Sequence, residues 1–280
     1  MTENRDIYFH RYTLRSHGTL NARSQRREFE GALIRVGSGF GAIHPWPELG
    51  DLDLDTQLAN LQKGKLSRLA IRALRCCRID QMALENGENL FSDLEIPSSH
   101  YSLPDNLTVV PKGFQSVKLK GIPNFAETIA RIQALPPGIR VRVDFNETME
   151  ISQVIDFWDR LGDLKPRIEF LEDPTPFDAN VWRTMGKTLS CFRAVDRAAP
   201  SAGAGADYRV IKPAVNDPAK HVALAELFNQ RLVVTSYMDH PIGQLFAAYE
   251  AAHVKISAAN RLTDCGLVTQ HLFDDSNPFV

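Results

Sequence analysis

Five short stretches between residues 116 and 212 decide the fold: Ser116-Val-Lys-Leu-Lys120, Arg140-Val-Arg-Val-Asp144, Glu169-Phe-Leu-Glu172, Phe192-Arg-Ala-Val-Asp196 and Tyr208-Arg-Val-Ile-Lys212. Each stretch contains residues that favour β-strands, either alternating with polar residues or in a short run, and it ends on a charged residue. Side chains alternate between the two faces of a strand, so Lys118 and Lys120 share one face while Val117 and Leu119 share the other. One face of each strand can therefore pack against helices while the other gathers charge.

The spacing of these strand ends indicates repeated strand–helix units. Asp144, Glu172, Asp196 and Lys212 follow one another at intervals of 28, 24 and 16 positions. A strand, a helix and two loops need about 30 residues, so each interval fits one unit, the last with a short helix or none. Parallel strands wound in this way close into a barrel whose active site lies at the carboxyl ends of the strands. The pattern predicts an α/β barrel with three carboxylates at its mouth, a set of oxygen ligands suited to Mg²⁺.

Patterns on either side of this stretch predict the remaining elements. Predicted strands lie at residues 7–14 and 28–36 in a small antiparallel sheet, and at 100–103, 232–236 and 254–257 as the first, seventh and eighth strands of the barrel. Helices are predicted at 55–63 and 66–85. The polar and basic segment 15–27 is predicted to be a flexible loop.

Composition limits the classes of function. The chain has 280 residues, of which 44% are hydrophobic and 24% charged, as in an ordinary globular protein. A net charge of −2 gives no indication of a nucleic-acid or anionic-membrane partner. The polar N-terminus lacks the apolar core of a signal peptide, and no run approaches the roughly 18 apolar residues of a membrane helix. The four cysteines, two of them adjacent at Cys76 and Cys77, indicate reduced core residues. These features predict a cytoplasmic protein.

The charged strand ends carry a resemblance to a known family. The series Lys-Xaa-Lys (118–120), Asp-Xaa-Asn (144–146), Leu-Glu-Asp-Pro (171–174), a strand-terminal aspartate (196) and Val-Ile-Lys-Pro (210–213) resembles the enolase superfamily, and within it the o-succinylbenzoate synthase family. The resemblance extends over nearly the whole chain. It implies a modified TIM barrel of the (β/α)7β type with a small, abbreviated α+β capping domain. The implied domains are a cap at 1–98, a barrel at 99–260 and a C-terminal segment at 261–280 that returns to the cap and barrel mouth.

The same resemblance implies the metal and the catalytic residues. Mg²⁺, or Mn²⁺ in its place, would be held by Asp144, Glu172 and Asp196, and the catalytic lysines would be Lys118, Lys120 and Lys212. Strand parity leaves Glu169 and Asp173 open as alternatives, and the resemblance assigns the ligand to Glu172. Crowded cations lower one another's pKa, which favours Lys120 as a base. Alternatively, the lysine pair belongs to an exposed edge strand and Lys212 to a structural salt bridge.

Five further residues are candidates for substrate binding or for support of the ligands: Arg142, Asn146, Ser236, Asp239 and Gly266. Arg142 shares a strand face with Asp144 and could orient it or the lysines. Asn146 could hydrogen-bond a ligand carboxylate or form an Asx-turn. Ser236 and Asp239 match a segment near the substrate's second carboxylate in the family, or belong to an ordinary loop. Gly266 would let the backbone approach a ligand.

The function implied by the resemblance is dehydration of 2-succinyl-6-hydroxy-2,4-cyclohexadiene-1-carboxylate to o-succinylbenzoate in menaquinone biosynthesis. Its partner would be a small-molecule carboxylate, and the chain would act as a monomer or homodimer. Two alternatives stay open: an N-acylamino acid racemase or dipeptide epimerase, and a non-catalytic barrel that binds a carboxylate. The sequence departs from the family at Arg197-Ala198, where many relatives carry Glu-Ser, and at His44, which replaces the usual glutamate of a capping-domain segment.

Overall fold

The structure is a computed structural model that describes residues 6–20, 24–105 and 107–274. Parts of the predicted cap, of the loop 15–27 and of the C-terminal segment 261–280 lie outside the described residues. The domain boundaries at residues 98 and 260 stay predictions.

The N-terminal part of the chain forms a small antiparallel sheet covered by two helices. Its elements are β1 (Ile7–Arg15), β2 (Glu28–Val36), β3 (Gly39–Ile43), α1 (Leu54–Gln62) and α2 (Arg68–Asn86), with the strands in the order β1-β2-β3. Asp53 and Ser67 cap the two helices, because their side chains accept hydrogen bonds from the N–H groups of Thr56 at 2.8 Å and Ala70 at 3.1 Å. Glycine at position 41 lets β3 lie against α2, since a Cβ there would collide with the backbone of Ala73.

The rest of the described chain forms a parallel sheet whose strands follow one another in chain order. Its elements are β4 (Tyr101–Ser102), β5 (Ser116–Lys120), α3 (Phe125–Ala134), β6 (Arg140–Asp144), α4 (Ile151–Arg160), β7 (Ile168–Glu172), α5 (Ala179–Leu189), β8 (Arg193–Val195), β9 (Tyr208–Ile211), α6 (Pro218–Leu227), β10 (Arg231–Val234) and α7 (Pro241–Ala258). Turns connect β8 to β9, so the 16-residue interval contains no helix, as its length allowed. The charged residues predicted to end strands do lie at or directly after the strand ends.

The predicted eighth strand at 254–257 is wrong, because these residues are the last turn of α7. Ala247, Ala251, Val254 and Ala258 recur at helical spacing and are buried, so the helical period continues through the short β-branched run. The barrel is closed further along the chain, by residues 262–266. Parallel bridges join Thr235 to Gly266 on one side and Ser99 to Cys265 on the other.

Apolar side chains fill two layers that hold the barrel mouth in place. One core lies between the sheet and its helices and includes Val117, Val143, Leu171 and Trp182. A small cluster of Phe170, Ala194, Tyr208, Val210 and Val233 packs together from four strands. The predicted site residues Glu172, Asp196 and Lys212 lie at the carboxyl ends of β7, β8 and β9. None of the helices in the described ranges has the length and apolar character that crossing a membrane requires.

Candidate active site

A large cavity opens at the carboxyl ends of the barrel strands, where the cap meets the barrel. Its volume is about 1240 Å³. The predicted site residues that line it are Lys118, Lys120, Asp144, Asn146, Asp196, Lys212, Ser236 and Gly266. Thr19, Leu20 and Asp51 line it from the N-terminal part of the chain. Barrel and cap therefore share one cavity, and it is large enough for a small-molecule substrate.

The first group of charges lies at the ends of β5, β6 and β7. Lys120, Asp144 and Glu172 are register neighbours across these strands. Lys118 Nζ lies 2.8 Å from Asp144 Oδ2 and 2.6 Å from Glu172 Oε1. Glu172 is only 2% exposed. Its burial is tolerated because the ammonium group of Lys118 lies between the two carboxylates.

The second group lies at the ends of β8 and β9. Lys212 Nζ is 2.5 Å from Asp196 Oδ2. The backbone N–H groups of Asp196 and Arg197 each donate a hydrogen bond of 3.0 Å to the buried carboxylate of Asp173. Asp173 has a left-handed backbone conformation, with φ of 40°. It holds the turn that presents Asp196 to the cavity.

The pKa shifts follow from this pairing. Burial alone would lower the pKa of Lys118, but the charges of Asp144, Glu172 and Asp196 outweigh it and raise the pKa above its ordinary value. Burial raises the pKa of Glu172 to about 7, although Lys118 opposes the shift. For Asp196 the burial effect is smaller than the attraction of Lys212 and Lys118, so its pKa lies below the usual range. Lys118 is therefore a permanent cation between acids.

Lys120 differs from Lys118, although the two side chains share a strand face. Its Nζ donates a hydrogen bond to the backbone carbonyl of Thr19 in the cap. Asp105 Oδ2 is 4.0 Å away, at the limit of an ion pair. Burial lowers the pKa of Lys120, and the charges of Lys118 and Arg131 add to the effect against the opposing Asp105 and Asp144. Of the two lysines, Lys120 is the one that reaches its neutral form more readily.

Asn146 hydrogen-bonds both Asp144, a predicted metal ligand, and Arg197, at which the sequence departs from the family pattern. Its backbone N–H and its side-chain Nδ2 both donate to Asp144 Oδ1, at 3.0 and 2.7 Å. Arg197 Nη2 donates to Asn146 Oδ1 at 2.8 Å. The backbone of Asn146 is left-handed, with φ of 53°. The side chain of Asp144 thus closes an Asx-type turn with the backbone N–H of Asn146, and the side chain of Asn146 hydrogen-bonds the same carboxylate.

Ser236 and Gly266 line the cavity on the side where the barrel closes. Ser236 Oγ is 3.1 Å from Thr269 Oγ1, and its backbone N–H donates to the carbonyl of Gly266 at 2.9 Å. A Cβ on Gly266 would lie 2.8 Å from His100 Nε2, so glycine here makes room for the imidazole. His100 lines the same cavity and was missed as a site residue. The sequence could have indicated it, because His100 is the first residue of the predicted barrel strand at 100–103.

Arg142 and Asp239 lie away from the cavity. The guanidinium of Arg142 forms a two-pronged pair with Glu169, with Nε–Oε2 and Nη2–Oε1 distances of 2.9 and 3.1 Å. Neither of these bonds reaches Asp144 or a lysine. The carboxylate of Asp239 lies against Gly243 at the start of α7, and its Oδ1 is buried without a partner among the described residues. Burial raises the pKa of Asp239 to about 7.

The donor set at the mouth fits Mg²⁺ by its chemistry. Within the described ranges, His, Cys, Asp and Glu side chains do not come together in threes as a ready-made metal cluster. Instead, ammonium groups lie 2.5 to 2.8 Å from the carboxylates of Asp144, Glu172 and Asp196. Carboxylate oxygens are the ligands that Mg²⁺ prefers, and this ion keeps several waters rather than requiring a closed protein cage. The three acids thus offer a cation-binding set with the right ligand type.

Comparison with known proteins decides the family. The sequence profile described as "O-succinylbenzoate synthase, N-terminal domain" matches residues 7–83. Over 289 aligned residues the chain is 32% identical to the "o-succinylbenzoate synthase" of Bdellovibrio bacteriovorus, with 95% of this chain and 87% of that protein covered. The chain belongs to the o-succinylbenzoate synthase family. It is therefore an enzyme, a lyase of the enolase superfamily.

Solved structures confirm the fold of this family member. The o-succinylbenzoate synthase of Thermosynechococcus elongatus, solved with Mg in its active site, is 18% identical with a TM-score of 0.70, and 98% of this chain and 95% of that chain are covered. The dipeptide epimerase of Enterococcus faecalis, solved with Mg and the dipeptide L-Leu-L-Tyr, is 16% identical with a TM-score of 0.76, covering 97% and 92%. These likenesses confirm the predicted modified TIM barrel with a capping domain.

Proposed function

We propose that this protein catalyses the dehydration of 2-succinyl-6-hydroxy-2,4-cyclohexadiene-1-carboxylate to o-succinylbenzoate, a step of menaquinone biosynthesis. Its place in the o-succinylbenzoate synthase family supports the reaction. The observation that carries the mechanism is the contrast between two lysines on one strand face. The pKa of Lys118 is raised and that of Lys120 is lowered. One lysine stays charged, and the other is suited to take up a proton.

The chemical difficulty is that the proton to be removed sits on a carbon next to a carboxylate, and such a C–H group is a very weak acid. In our proposal Lys120 removes the proton from the ring carbon that bears the carboxylate. The electron pair of that bond enters the ring as the C–O bond of the 6-hydroxyl breaks. Lys120, now an ammonium group, returns the proton to the departing hydroxyl on the same face, and water leaves. The lowered pKa of Lys120 favours both roles near neutral pH.

Asp144, Glu172 and Asp196 would hold Mg²⁺, and Mn²⁺, which accepts the same oxygen ligands, would replace it. When bound, the metal supplies positive charge to the substrate carboxylate as negative charge develops there. Lys118 offsets part of the negative charge of Asp144 and Glu172 and so reduces their repulsion of that carboxylate. Lys212 directly follows β9, which is four strands away from β5 in the sheet, and would stabilise the developing charge from the other side of the substrate.

The test is the loss of the cyclohexadiene ultraviolet absorbance after purified protein is added with Mg²⁺ and then with EDTA. We expect fast loss that EDTA abolishes. Lys120→Ala should lower the rate by about 10³-fold or more, because general-base catalysis contributes on that order. The matched control is Lys112→Ala, which removes an exposed lysine near β5 and should leave the rate unchanged. Full turnover in a folded Lys120→Ala protein would refute the assigned base.

A second candidate is 1,1-proton transfer on an N-acylamino acid or dipeptide. Lys120 and Lys212 on well-separated strands suit proton removal from one face and return on the other, and a dipeptide epimerase shares the fold. Entry of solvent deuterium at the α-carbon of such a substrate, without loss of the cyclohexadiene absorbance, would favour this candidate. Binding of o-succinylbenzoate without either reaction would favour the non-catalytic barrel.

We also propose that the enzyme acts in the cytoplasm as a monomer or homodimer. Four free, buried cysteines support a reducing compartment. Fractionation of the native host followed by detection of the protein tests the location. Light scattering on the purified 31.4 kDa chain distinguishes the two oligomeric states.

A further inference from the structure

His100 is a buried histidine that lines the cavity and has no role in the proposed mechanism. It directly precedes β4 and is only 2% exposed. Its Nδ1 lies 2.8 Å from Nη1 of Arg142. Its backbone N–H donates to the carbonyl of Cys265 at 2.7 Å, on the segment that closes the barrel. The ring is therefore held from two sides, by Arg142 and by the closing segment.

The contact with Arg142 determines which ring nitrogen carries the proton. A guanidinium group only donates hydrogen bonds, so His100 Nδ1 must accept, and the proton of the neutral ring lies on Nε2. Arg142 cannot turn away easily, because it also pairs with Glu169 and donates to the carbonyl of Asp264 at 2.7 Å. Burial, followed by the charges of Arg142 and Lys118, lowers the pKa of His100 well below its ordinary value. The ring is thus neutral, with a fixed tautomer.

The Nε2 edge of this ring faces groups that line the cavity. It lies against Gly266, whose missing Cβ leaves room for the ring, and close to Thr235. Among the described residues, none forms a hydrogen bond with Nε2, although Nδ1 is paired. His100 lines the cavity, where a bound ligand can supply the acceptor that the protein does not.

The position of His100 in the barrel indicates which part of a substrate it meets. The carboxylates proposed to hold the metal end β6 and β7 and follow β8, whereas His100 directly precedes β4, which lies between β5 and the closing segment. Ser236 and Thr269 contribute hydroxyl groups on the same side. A substrate whose ring carboxylate lies at the acids would extend its side chain toward this neutral, hydrogen-bonding wall.

We infer that His100 Nε2–H donates a hydrogen bond to an oxygen atom of the substrate's succinyl side chain, and so selects substrates that carry such an acceptor. The inference rests on the proposed function. It assigns His100 a binding role, with Arg142 as the residue that orients it. Because the ring is neutral, it adds no charge to the site. A neutral donor can pair with either the carbonyl or the terminal carboxylate of the side chain.

The experiment compares two ligands in three proteins. Affinities for o-succinylbenzoate and for benzoate, which lacks the side chain, are measured with Mg²⁺ by calorimetry in the wild type, His100→Asn and His100→Gln. Asparagine keeps an acceptor for Arg142 but is too short to reach the Nε2 position, whereas glutamine restores a donor there. We expect His100→Asn to weaken o-succinylbenzoate by about tenfold and benzoate hardly at all. His100→Gln should recover most of the loss.

Equal weakening of both ligands in His100→Asn would show a structural role through Arg142, and unchanged affinity for both would also overturn the inference. If the His100 variants do not fold, NMR on the wild type tests the same contact. The ¹⁵N resonance of His100 Nε2 should move on addition of o-succinylbenzoate and stay in place with benzoate. A wild type that neither binds o-succinylbenzoate nor consumes the cyclohexadiene would refute the proposed function itself, and the inference with it. If the wild type turns over the cyclohexadiene but the His100 variants and the His100 resonance show no difference between o-succinylbenzoate and benzoate, only the inference is refuted.

Discussion

Two buried polar clusters in this molecule handle charge in opposite ways. The mouth cluster, consisting of Lys118, Asp144, Glu172, Asp196 and Lys212, pairs every acid with an ammonium group at 2.5 to 2.8 Å. The interface cluster lies where the cap meets the loop after β10 and consists of Tyr12, His44, Asp239 and His240. There, Tyr12 Oη bonds His44 Nδ1 at 3.0 Å, and the rings of Tyr12 and His240 are 4.8 Å apart.

The difference shows how neighbours decide whether buried groups stay charged. At the mouth, attraction outweighs burial for Lys118 and Asp196, so both remain ionised. At the interface, burial is the largest effect: it lowers the pKa of His44 to about 3, and it raises that of Asp239 to about 7 against the opposing backbone hydrogen bonds of Asp239 and Tyr237. The mouth is therefore arranged to hold charge for a reaction, whereas burial at the interface favours the neutral forms of groups that join two parts of the chain.

Removing a cation from the mouth gives the largest expected change in stability. Lys118→Met leaves Asp144 and Glu172 facing each other without the ammonium group between them. We expect the free energy of unfolding without metal to fall by about 2–4 kcal/mol, at the lower end for a broken buried pair because the lysine side chain is 22% exposed. Urea denaturation with and without Mg²⁺ measures it, and Mg²⁺ should restore more stability to this variant than to the wild type. Equal stability of the two proteins without metal would contradict the compensating role of Lys118.

Removing a charge from the interface should have the opposite sign. The pKa of Asp239 is about 7 in the folded protein and near 4 in the unfolded chain, so the folded state binds the proton more tightly. Stability from this group is therefore present at low pH and is lost as the pH rises through about 7. Asp239→Asn mimics the protonated acid, so we expect it to stabilise the protein by roughly 1–3 kcal/mol at pH 8 and by less at pH 5.

Thermal unfolding at the two pH values measures this effect, and Asp196→Asn is the matched control. Because Lys212 would lose its ionised partner, that variant should be destabilised at pH 8 in the absence of metal. Asp239→Asn should also keep its turnover, since the carboxylate lies away from the cavity. A large rise in KM without a gain in stability would instead place Asp239 among the substrate-binding residues.

The two clusters also differ in how far the sequence predicts them. The mouth follows from strand periodicity with a charged residue at each end, and the strand ends agree closely with the structure. Parity alone put Arg142 on the face of Asp144, but it cannot tell whether a long side chain extends up to the mouth or down to Glu169. His100 precedes a strand of only two residues and Asp239 lies in a loop, so tertiary packing decides what surrounds them. The prediction of an eighth strand at 254–257 was wrong because these residues belong to an alanine-rich helix that continues through them.

The smallest expected effect concerns the relay from Arg197 through Asn146 to Asp144. Asn146 Nδ2 donates to Asp144 Oδ1, and Asn146 Oδ1 accepts from Arg197 Nη2. Asn146→Ala should therefore weaken Mg²⁺ binding by about tenfold, as loss of a partner behind a metal ligand does. Arg197→Ala should weaken it less, since Asn146 keeps its backbone and side-chain bonds to the acid. If Arg197 acts through Asn146, the double variant binds Mg²⁺ no more weakly than Asn146→Ala alone in calorimetric titration. Additive losses would mean that Arg197 acts on the site by its charge and independently of the relay.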